Sequence, residues 1–302
     1  MNIALVDIDS HNFPNLVLMK LSAWHKAKGD TVMLVSPENI VQQGLFSLPY
    51  DKAYGACVFD WNKDKAEELE RLGVEVAGSG TGKTVTLPDE IEHMMPDYSL
   101  YGITDTAYGF LTRGCPRQCP FCVVAGKEGA RSRKVADLNE FWDGQKYIKL
   151  LDPNLLACQE SATLLNQLVD SRAEIDFTQG LDARLLTENK IEKLLEVKIK
   201  RLHFAWDNPK DEGCKASLKR FAERAMRHPT DYVKYKVYVL TNYWSTIEQD
   251  LYRVYWLRDI GYDPYVMIYD KANAPKEIRR LQRWVNNKII FRSCDKFEEY
   301  TA

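Results

Sequence analysis

Three closely spaced cysteines are the residues of this chain best suited to chemistry. Cys115, Cys119 and Cys122 stand in the segment RGCPRQCPFC with the spacing C-x3-C-x2-C. Three thiolates on one short loop can bind three irons of a four-iron, four-sulfur cluster, which leaves the fourth iron without a protein ligand. An electron-transfer cluster has a ligand on every iron, whereas an open iron can bind a substrate or cofactor. The spacing therefore predicts a catalytic cluster.

Zinc is the main alternative for closely spaced cysteines. A structural zinc site takes four protein ligands, so a second cysteine pair or a histidine would follow at short range. Neither follows Cys122. The other cysteines are scattered singly and form no disulfide framework. We interpret them as buried small hydrophobic residues: Cys57, Cys158, Cys214 and Cys294.

The cysteine segment resembles the signature of the radical S-adenosylmethionine superfamily, which also has an aromatic residue before the last cysteine, here Phe121. The resemblance implies a 4Fe-4S cluster on Cys115, Cys119 and Cys122, with S-adenosylmethionine bound at the open iron and Phe121 near its adenine. It also implies an external one-electron reductant of the flavodoxin or ferredoxin type.

The composition is that of an ordinary globular protein. The 302 residues can bury one large core or two moderate ones, and they are 45% hydrophobic and 28% charged. Apolar runs are too short for a membrane span, and no signal-peptide pattern begins the sequence, so we predict a cytoplasmic protein. A net charge of −2 gives no electrostatic case for binding nucleic acid or an anionic membrane.

Residues 1–100 are predicted to form a small Rossmann-like domain. Strands over 3–6, 31–35, 56–59 and 74–76 alternate with helices over 16–28 and 63–72, which favours a parallel sheet. The segment after the first strand resembles the opening of the cobalamin-binding-type domain found before many radical enzymes. His11 lies in a partial D-x-H-x-x-G pattern, but Pro14 replaces the glycine. We interpret His11 as a loop histidine and not as a cobalt ligand.

Residues 101–302 are predicted to form six strand–helix units with a final helix and a tail. The strands are expected at 106–112, 147–151, 175–178, 202–205, 236–240 and 265–269. The helices are expected around Leu138, Leu164, Ile191, Phe221, Leu251 and Leu281. Ser245 and Glu248 predict a capping box on the fifth helix. Six such units indicate a partial (β/α)6 barrel, with chemistry at the carboxyl ends of the strands.

Polar residues after the predicted strands are the candidates for binding the cofactor. In the superfamily, residues after the second strand bind the methionine amino group, and Asp152 and Asn154 stand there in this chain. The family's Gly-Gly-Glu segment is absent, and Asp-Pro-Asn also suits an ordinary turn. The resemblance further implies cofactor contacts for Asp207 and Asn242, and for Tyr269 where backbone usually meets adenine.

Three residues after the third predicted strand can either bind a ligand or form a structural salt bridge. Gln179 and Asp182 are predicted to bind hydroxyls or a base edge of the substrate. Arg184 can hold a carboxylate of the cofactor through two hydrogen bonds. The alternative interpretation is a salt bridge at the start of the next helix.

A basic group follows the cysteines. Lys127, Arg131, Arg133 and Lys134 can together neutralise a phosphate of the substrate. Basic runs of this kind are also common on solvated surfaces.

Two further features receive structural interpretations. Residues 77–84 match a permissive phosphate-binding loop, but that site needs a helix directly after its lysine. Residues 85–88 are instead β-rich and end in proline, so we reject a nucleoside triphosphatase. Trp142 and Trp244 are interpreted as packing residues. Trp206, at a strand end, is the exception and is a candidate for stacking on a ligand.

The whole chain resembles the radical lyases of queuine salvage, through the cysteine segment, LLDPN and QGLDAR. The resemblance implies a small nucleoside or nucleotide substrate and release of a 7-deazaguanine base from queuosine 5′-phosphate. A tRNA-modifying methylthiotransferase is disfavoured, because a second cysteine triad is lacking and little chain follows Val285 for an RNA-binding domain. Pro14 disfavours a cobalamin-dependent methyltransferase. A non-enzymatic iron–sulfur module is the remaining alternative, and it predicts no cleavage of S-adenosylmethionine.

Overall fold

The computed structural model describes residues 1–9, 13–44, 49–83, 85–228 and 230–301. His11 therefore lies outside the described residues. The chain divides into two units, of which the first comprises Met1–Tyr108 with Asn139–Gln145. The second comprises Gly109–Leu138 with Lys146–Ala302. Within the described ranges, every helix is too short or too polar to cross a bilayer.

The first unit contains a parallel sheet with helices on both faces. Its strands are β1 (Asn2–Asp7), β2 (Thr31–Val35), β3 (Lys52–Ala56) and β4 (Glu75–Ala77), in the order β2-β1-β3-β4. Its helices are α1 (Leu16–Ala27), α2 (Pro37–Gly44), α3 (Lys63–Arg71) and α4 (Asp89–Glu92).

Alternation of side chains along β1 explains why helices cover both faces of this sheet. Ile3 lies in one buried cluster with Leu18 of α1. Val6 lies in a second buried cluster with Leu69 of α3. Because successive strand residues point to opposite faces, Ile3 and Val6 belong to opposite sides of the sheet. The predicted parallel α/β arrangement of this segment is confirmed.

The third strand was predicted in the wrong place. It runs over Lys52–Ala56, whereas the apolar residues at 57–59 follow it as a loop. The carboxylate of Asp9 accepts a hydrogen bond from the Val58 amide at 2.6 Å. The amide of Cys57 donates to Ala77 O at 3.0 Å. These bonds hold the backbone of residues 57–59 in a loop, although their apolar side chains resemble those of a buried strand.

The glycine-rich segment after β4 packs against that same loop. A Cβ atom on Gly78 would lie 2.1 Å from Cys57 O, and one on Gly80 would lie 2.5 Å from Phe59 O. The described residues 85–88 are not helical, and α4 begins only at Asp89. The glycines therefore permit close backbone packing, in agreement with the predicted connecting segment.

The second unit is built on a six-stranded sheet. Its strands are β5 (Thr106–Gly109), which spans the division between the units, β6 (Thr112–Arg113), β7 (Arg133–Lys134), β8 (Tyr147–Leu150), β9 (Glu174–Leu181), β10 (Ile199–Ala205), β11 (Tyr235–Thr241) and β12 (Asp263–Ile268). The order is β12-β11-β10-β9-β8-β5, and β8 to β12 pair in parallel. Strands β6 and β7 form a separate antiparallel pair.

Helices alternate with the strands of this sheet from β8 onward. They are α6 (Ser161–Ser171), α7 (Glu188–Glu196), α8 (Glu212–Ala225), α9 (Ile247–Asp259) and, after the last strand, α10 (Lys276–Asn286) and α11 (Lys288–Ser293). A short helix, α5 (Val124–Glu128), lies earlier, between β6 and β7. The predicted helices at Leu164, Ile191, Phe221, Leu251 and Leu281 are confirmed. The chain is thus a mixed α/β protein with parallel sheets.

Two local predictions in this unit were wrong. Leu138 begins only a single 3-10 turn, because its amide is tied to Gln167 Oε1 of α6 at 2.8 Å. The capping box of α9 uses Thr246 and Gln249, one residue later than predicted. Ser245 and Glu248 therefore do not form it.

Candidate functional site

Strands β6 and β7 hold the two ends of the cysteine loop together. Thr112 pairs with Lys134, and Arg113 pairs with Arg133. The Glu128 carboxylate accepts hydrogen bonds from the Gly114 amide at 3.1 Å and from Arg113 Nη1 at 3.0 Å. Gly114 has a φ of 87°, and a Cβ atom there would lie 2.2 Å from Arg131 O. The loop can therefore close only with glycine at this position.

The three cysteines of this loop are suited to hold a cluster. None of them is in a disulfide, Cys115 and Cys119 are half-buried, and Cys122 is exposed. Across the described part of the chain, no three His, Cys, Asp or Glu side chains converge on one point suited to a single metal ion. A cubane cluster takes each thiolate on a different iron, so its ligands surround a space and not a point. Three free thiols on one closed loop can surround such a space, and their binding of a cluster stays a prediction.

Asn154 places a buried polar group beside the first cysteine. Its side chain is almost fully buried, and its Nδ2 donates to Cys115 Sγ at 3.4 Å. Its Oδ1 has no hydrogen-bond partner among the described residues. A buried acceptor without a partner is costly, so it points to a donor supplied by a bound molecule. This atom was predicted to contact the methionine nitrogen, and that role stays a prediction.

Asp152 holds the strand that leads into the cysteine loop. Its buried carboxylate accepts hydrogen bonds from the amides of Leu111 and Thr112 and from Thr112 Oγ1 at 2.7 Å. These bonds break the predicted strand 106–112 into β5 and β6. They also occupy the carboxylate oxygens, so Asp152 positions this strand, and its contact with the cofactor stays a prediction.

The buried carboxylate of Asp152 predicts a pH-dependent stability. Burial raises its pKa to about 6, although the bonds from Thr112 and Leu111 favour the charged form. Between about pH 4 and pH 6 the folded protein therefore holds a proton that the unfolded chain releases, and the free energy of unfolding falls as the pH rises. In the wild type this fall in the free energy of unfolding should amount to about 3 kcal/mol, and Asp152→Asn should abolish it. Urea unfolding across this pH window measures it.

The matched control for this experiment is Asp170→Asn, since Asp170 is exposed on α6. It should leave the pH profile of the wild type unchanged. The same pH profile in Asp152→Asn and in the wild type would contradict the assignment of the raised pKa to Asp152.

A cavity of about 250 Å³ opens beside the second cysteine. It is lined by residues of the cysteine loop and by residues at or after the carboxyl ends of β9, β10 and β11: Arg117, Gln118, Cys119, Pro120, Phe121, Arg184, Ala205, Asp207, Asn208, Asp211, Cys214 and Trp244. The structure thus brings together three predicted cofactor residues, Phe121, Arg184 and Asp207, around Cys119. This end of a parallel sheet is where α/β enzymes place their ligands.

Two arginines and two aspartates form a network in this cavity. Asp182 accepts from Arg117 Nε and from Arg184 Nε, the latter at 2.7 Å. Arg184 also reaches Asp211 at 3.2 Å. Burial raises the pKa of Asp182, but the bonds from Arg184 and Arg117 outweigh it and hold the pKa below its usual value. These contacts favour the salt-bridge interpretation of Asp182, and its contact with substrate stays a prediction.

Arg253 holds the ends of two neighbouring strands at this cavity. The guanidinium is fully buried and donates to Trp206 O, to Asp207 O at 2.9 Å and to Leu240 O at 2.8 Å. It forms an ion pair with Asp250 one turn earlier on α9. Arg253 therefore holds the backbone of Asp207 in place. Burial raises the pKa of its carboxyl to about 6, and Arg253 and Arg184 oppose that rise.

Four aromatic side chains lie together at the rim of this site. The Phe121 ring contacts Tyr243 at 5.5 Å and Trp244 at 5.4 Å, and Tyr243 contacts Tyr269 at 4.6 Å. Asn242 Nδ2 donates to Tyr269 O at 2.9 Å. Of the predicted cofactor residues, Phe121 and Tyr269 are therefore connected through Tyr243, which was not predicted, and Asn242 is bonded directly to Tyr269.

The tryptophans near the site were assigned the wrong way round. Trp206 is fully buried and packs on Trp256 at 5.2 Å, so it offers no stacking surface. Trp244 is exposed at the cavity instead. A residue at the end of a strand can contact a ligand only if its side chain points into the cavity and not into the core. Arg117 was also missed, although it lies inside the cysteine motif.

Four predicted substrate residues line two other cavities of the second unit. Arg131, Arg133 and Lys134 line a cavity of about 600 Å³ that includes Pro116 of the cysteine loop. Lys127 lies on α5 and is not part of its lining. Gln179 lines a third cavity, of about 480 Å³, on the six-stranded sheet.

Comparisons with known proteins give little beyond this geometry. No family model matches the chain, and no curated protein matches it. Among solved structures, the chain is similar to Streptococcus suis SuiB, crystallised with the precursor peptide SuiA bound, with 14% identity and a TM-score of 0.46. The match covers 77% of this chain and 59% of that one, so the chain spans less than two thirds of SuiB.

Proposed function

We propose that the chain is a radical S-adenosylmethionine enzyme with a 4Fe-4S cluster on Cys115, Cys119 and Cys122. The observation that carries this proposal is the closed cysteine loop beside Asn154, whose buried Oδ1 lacks a partner among the described residues. The consecutive strand order supports a partial (β/α)6 barrel in residues 101–302. The order β2-β1-β3-β4 with helices on both faces supports a Rossmann-like domain in residues 1–100.

Each group of residues at the site has a task in this proposal. When bound and reduced by an external one-electron donor, the cluster and S-adenosylmethionine supply a 5′-deoxyadenosyl radical that takes a hydrogen atom from the substrate. Asn154 Oδ1 accepts a hydrogen bond from the methionine ammonium. Arg184 binds the methionine carboxylate in this proposal, and Asp207 and Asn242 bind polar groups of the cofactor. The aromatic group of Phe121, Tyr243, Trp244 and Tyr269 covers the adenine and excludes water.

Asn154 provides the first test of this arrangement. Asn154→Leu should weaken the binding of S-adenosylmethionine about tenfold to a hundredfold, since it removes a hydrogen bond to a charged group. Equilibrium dialysis on the reconstituted protein measures the affinity, and the iron content should stay at the wild-type value. Asn166→Ala, on the exposed face of α6, is the control. Unchanged affinity in Asn154→Leu would move the ammonium contact to another residue.

We propose that the reaction is release of the base from queuosine 5′-phosphate. The glycosidic bond to a 7-deazapurine has a poor leaving group, because carbon replaces the ring nitrogen that purines protonate. A radical on the ribose offers another route to break the bond. The phosphate would add binding energy away from the reacting bond and orient the sugar. The predicted phosphate ligands Arg131 and Arg133 line a cavity that includes Pro116 of the cysteine loop, which supports a substrate of this class.

The substrate assignment is tested by anaerobic turnover with reductant, S-adenosylmethionine and either queuosine or its 5′-phosphate. We expect free queuine together with 5′-deoxyadenosine, and faster turnover of the phosphate. Formation of 5′-deoxyadenosine only with a tRNA or a peptide would remove the lyase assignment and keep the radical one.

A further inference from the structure

A polar cavity lies on one face of the six-stranded sheet. It has a volume of about 480 Å³ and is lined from five neighbouring strands, β8 to β12. Its ionisable lining comprises Lys149, Asp176, Arg201, His203, Lys236 and Tyr238, together with Tyr265. Three of these side chains are cationic and one is a carboxylate, so the cavity has a net positive charge when His203 is neutral.

The strand register places these charges side by side. Asp176 pairs with Lys149 on one side and with Arg201 on the other. His203 pairs with Lys236 in the next row of the sheet. Strands buried in parallel sheets are normally apolar on both faces. Here the face is open instead: Arg201 is exposed, Lys149 and Lys236 are half-buried and Asp176 is buried, so the cations can meet a ligand from solvent.

The same face leads to the cysteine loop. Along β10, side chains alternate between the two faces, so Arg201, His203 and Ala205 share one of them. Arg201 and His203 line the sheet cavity, and Ala205 lines the cavity of Cys119. Two residues along a strand span about 7 Å. A small molecule on this face can therefore reach from Arg201 toward the cysteine end of the sheet.

His203 is fixed as a hydrogen-bond acceptor in this cavity. Its Nδ1 lies 2.9 Å from Phe177 O, which can only accept, so Nδ1 carries the hydrogen. Burial lowers the pKa of His203 and favours the neutral ring, which leaves Nε2 as an acceptor. The ring stacks on Tyr238 at 5.0 Å with an angle of 5° between planes, and Tyr238 Oη donates to Thr178 O at 3.2 Å.

Arg201 and Lys236 are the cations of this cavity with the weakest ionic contacts. The Arg201 side chain makes no hydrogen bond or ion pair within the described ranges, and Lys236 Nζ lies 3.7 Å from Asp263. Asp263 is bound more closely by Lys288, at 2.6 Å. In the cavity near the loop, Arg133 donates to the backbone Glu128 O and Lys134 pairs with Asp137 at 2.6 Å, whereas the Arg131 side chain has no ion pair within the described ranges. The Glu160 carboxylate also lines that cavity.

We propose that the sheet cavity binds an anionic group of the substrate, a phosphate or a carboxylate. Arg201 and Lys236 bind the anion, and His203 Nε2 accepts a hydrogen bond from a neighbouring hydroxyl or amide. That the bound molecule is the substrate rests on the function proposed above, whereas binding of the anion does not. The cavity lined by Arg131 is the competing seat for such a group.

The test is a titration of the purified full chain, labelled with 15N-histidine, with inorganic phosphate and separately with acetate. The His203 ring signals are assigned by their loss in His203→Gln. At least one anion should shift these signals in a saturable manner. Arg201→Gln and Lys236→Gln should each weaken that binding about tenfold. Lys219→Gln on the exposed face of α8 should leave it unchanged.

Three results would overturn the proposal: no saturable shift with either anion, an undiminished shift in the Arg201→Gln/Lys236→Gln double variant, or loss of the shift in Arg131→Gln. If Arg201→Gln does not fold, Arg201→Lys retains the charge and should bind phosphate more weakly than the wild type but measurably. The titration uses no reductant or S-adenosylmethionine. Its failure is therefore distinct from a failure of the radical chemistry.

Discussion

Cys119→Ala should abolish binding of the iron–sulfur cluster. Anaerobic reconstitution of the wild type should give about four irons per chain, and the variant should retain almost none. The reason is that the closed loop supplies only three thiols, each of which is needed for one iron. Iron analysis and the visible absorption of the reconstituted proteins measure the effect.

Two other buried thiols provide matched controls. Cys158→Ala removes a thiol outside the loop, and Cys214→Ala removes a thiol that lines the same cavity as Cys119. Both variants should keep the full iron content. Iron retained in a variant lacking Cys115, Cys119 and Cys122 would show a second site and contradict the assignment.

Arg253→Met should cost about 3–5 kcal/mol in the free energy of unfolding. The change leaves Asp250 charged and fully buried without its partner, which is the costly way to break a buried ion pair. It also removes the donors to Trp206 O, Asp207 O and Leu240 O at the ends of β10 and β11. Urea unfolding at neutral pH measures the loss.

Two variants separate this effect from a general loss of charge. Arg224→Met removes partly exposed ion pairs with Glu188 and Glu192 on the surface and should cost about 1 kcal/mol or less. The double variant Asp250→Leu/Arg253→Met leaves no buried charge and should be more stable than Arg253→Met alone. A double variant less stable than the single one would contradict the ion-pair explanation.

The cysteine loop and most elements of the second unit could be predicted because their signals are local. The spacing of the cysteines fixes their neighbourhood on one loop. The apolar runs near Ile148, Val237 and Val266 mark the buried strands β8, β11 and β12. Strand order then follows chain order, and the carboxyl ends of the strands meet the loop by topology alone.

Errors arose where contacts distant in sequence decide the local structure. The loop at 57–59 is fixed by Asp9 and Ala77, and the turn at Leu138 is fixed by Gln167. Neither partner is visible in a short window of sequence. The orientation of Trp206 depends on its packing against Trp256, which no strand pattern encodes.

The sheet cavity was missed for a different reason. The fourth strand of the sheet was predicted from its apolar core at 202–205, whereas β10 runs over Ile199–Ala205 and includes Arg201. Lys149, Asp176 and Lys236 lay inside predicted strands, but the face that they share with Arg201 was not recognised. Alternating charges at Lys149, Asp176, Arg201 and Lys236 instead mark one polar face of a continuous sheet, and that pattern was available in the sequence.

The central claim is that this chain cleaves S-adenosylmethionine by one-electron reduction. The most direct measurement is anaerobic incubation of the reconstituted protein with dithionite and S-adenosylmethionine, followed by chromatographic detection of 5′-deoxyadenosine. We predict that 5′-deoxyadenosine and methionine form with the wild type and do not form with Cys119→Ala. Absence of 5′-deoxyadenosine from wild-type protein that carries its full complement of iron and binds S-adenosylmethionine would contradict the claim and leave a non-enzymatic iron–sulfur module.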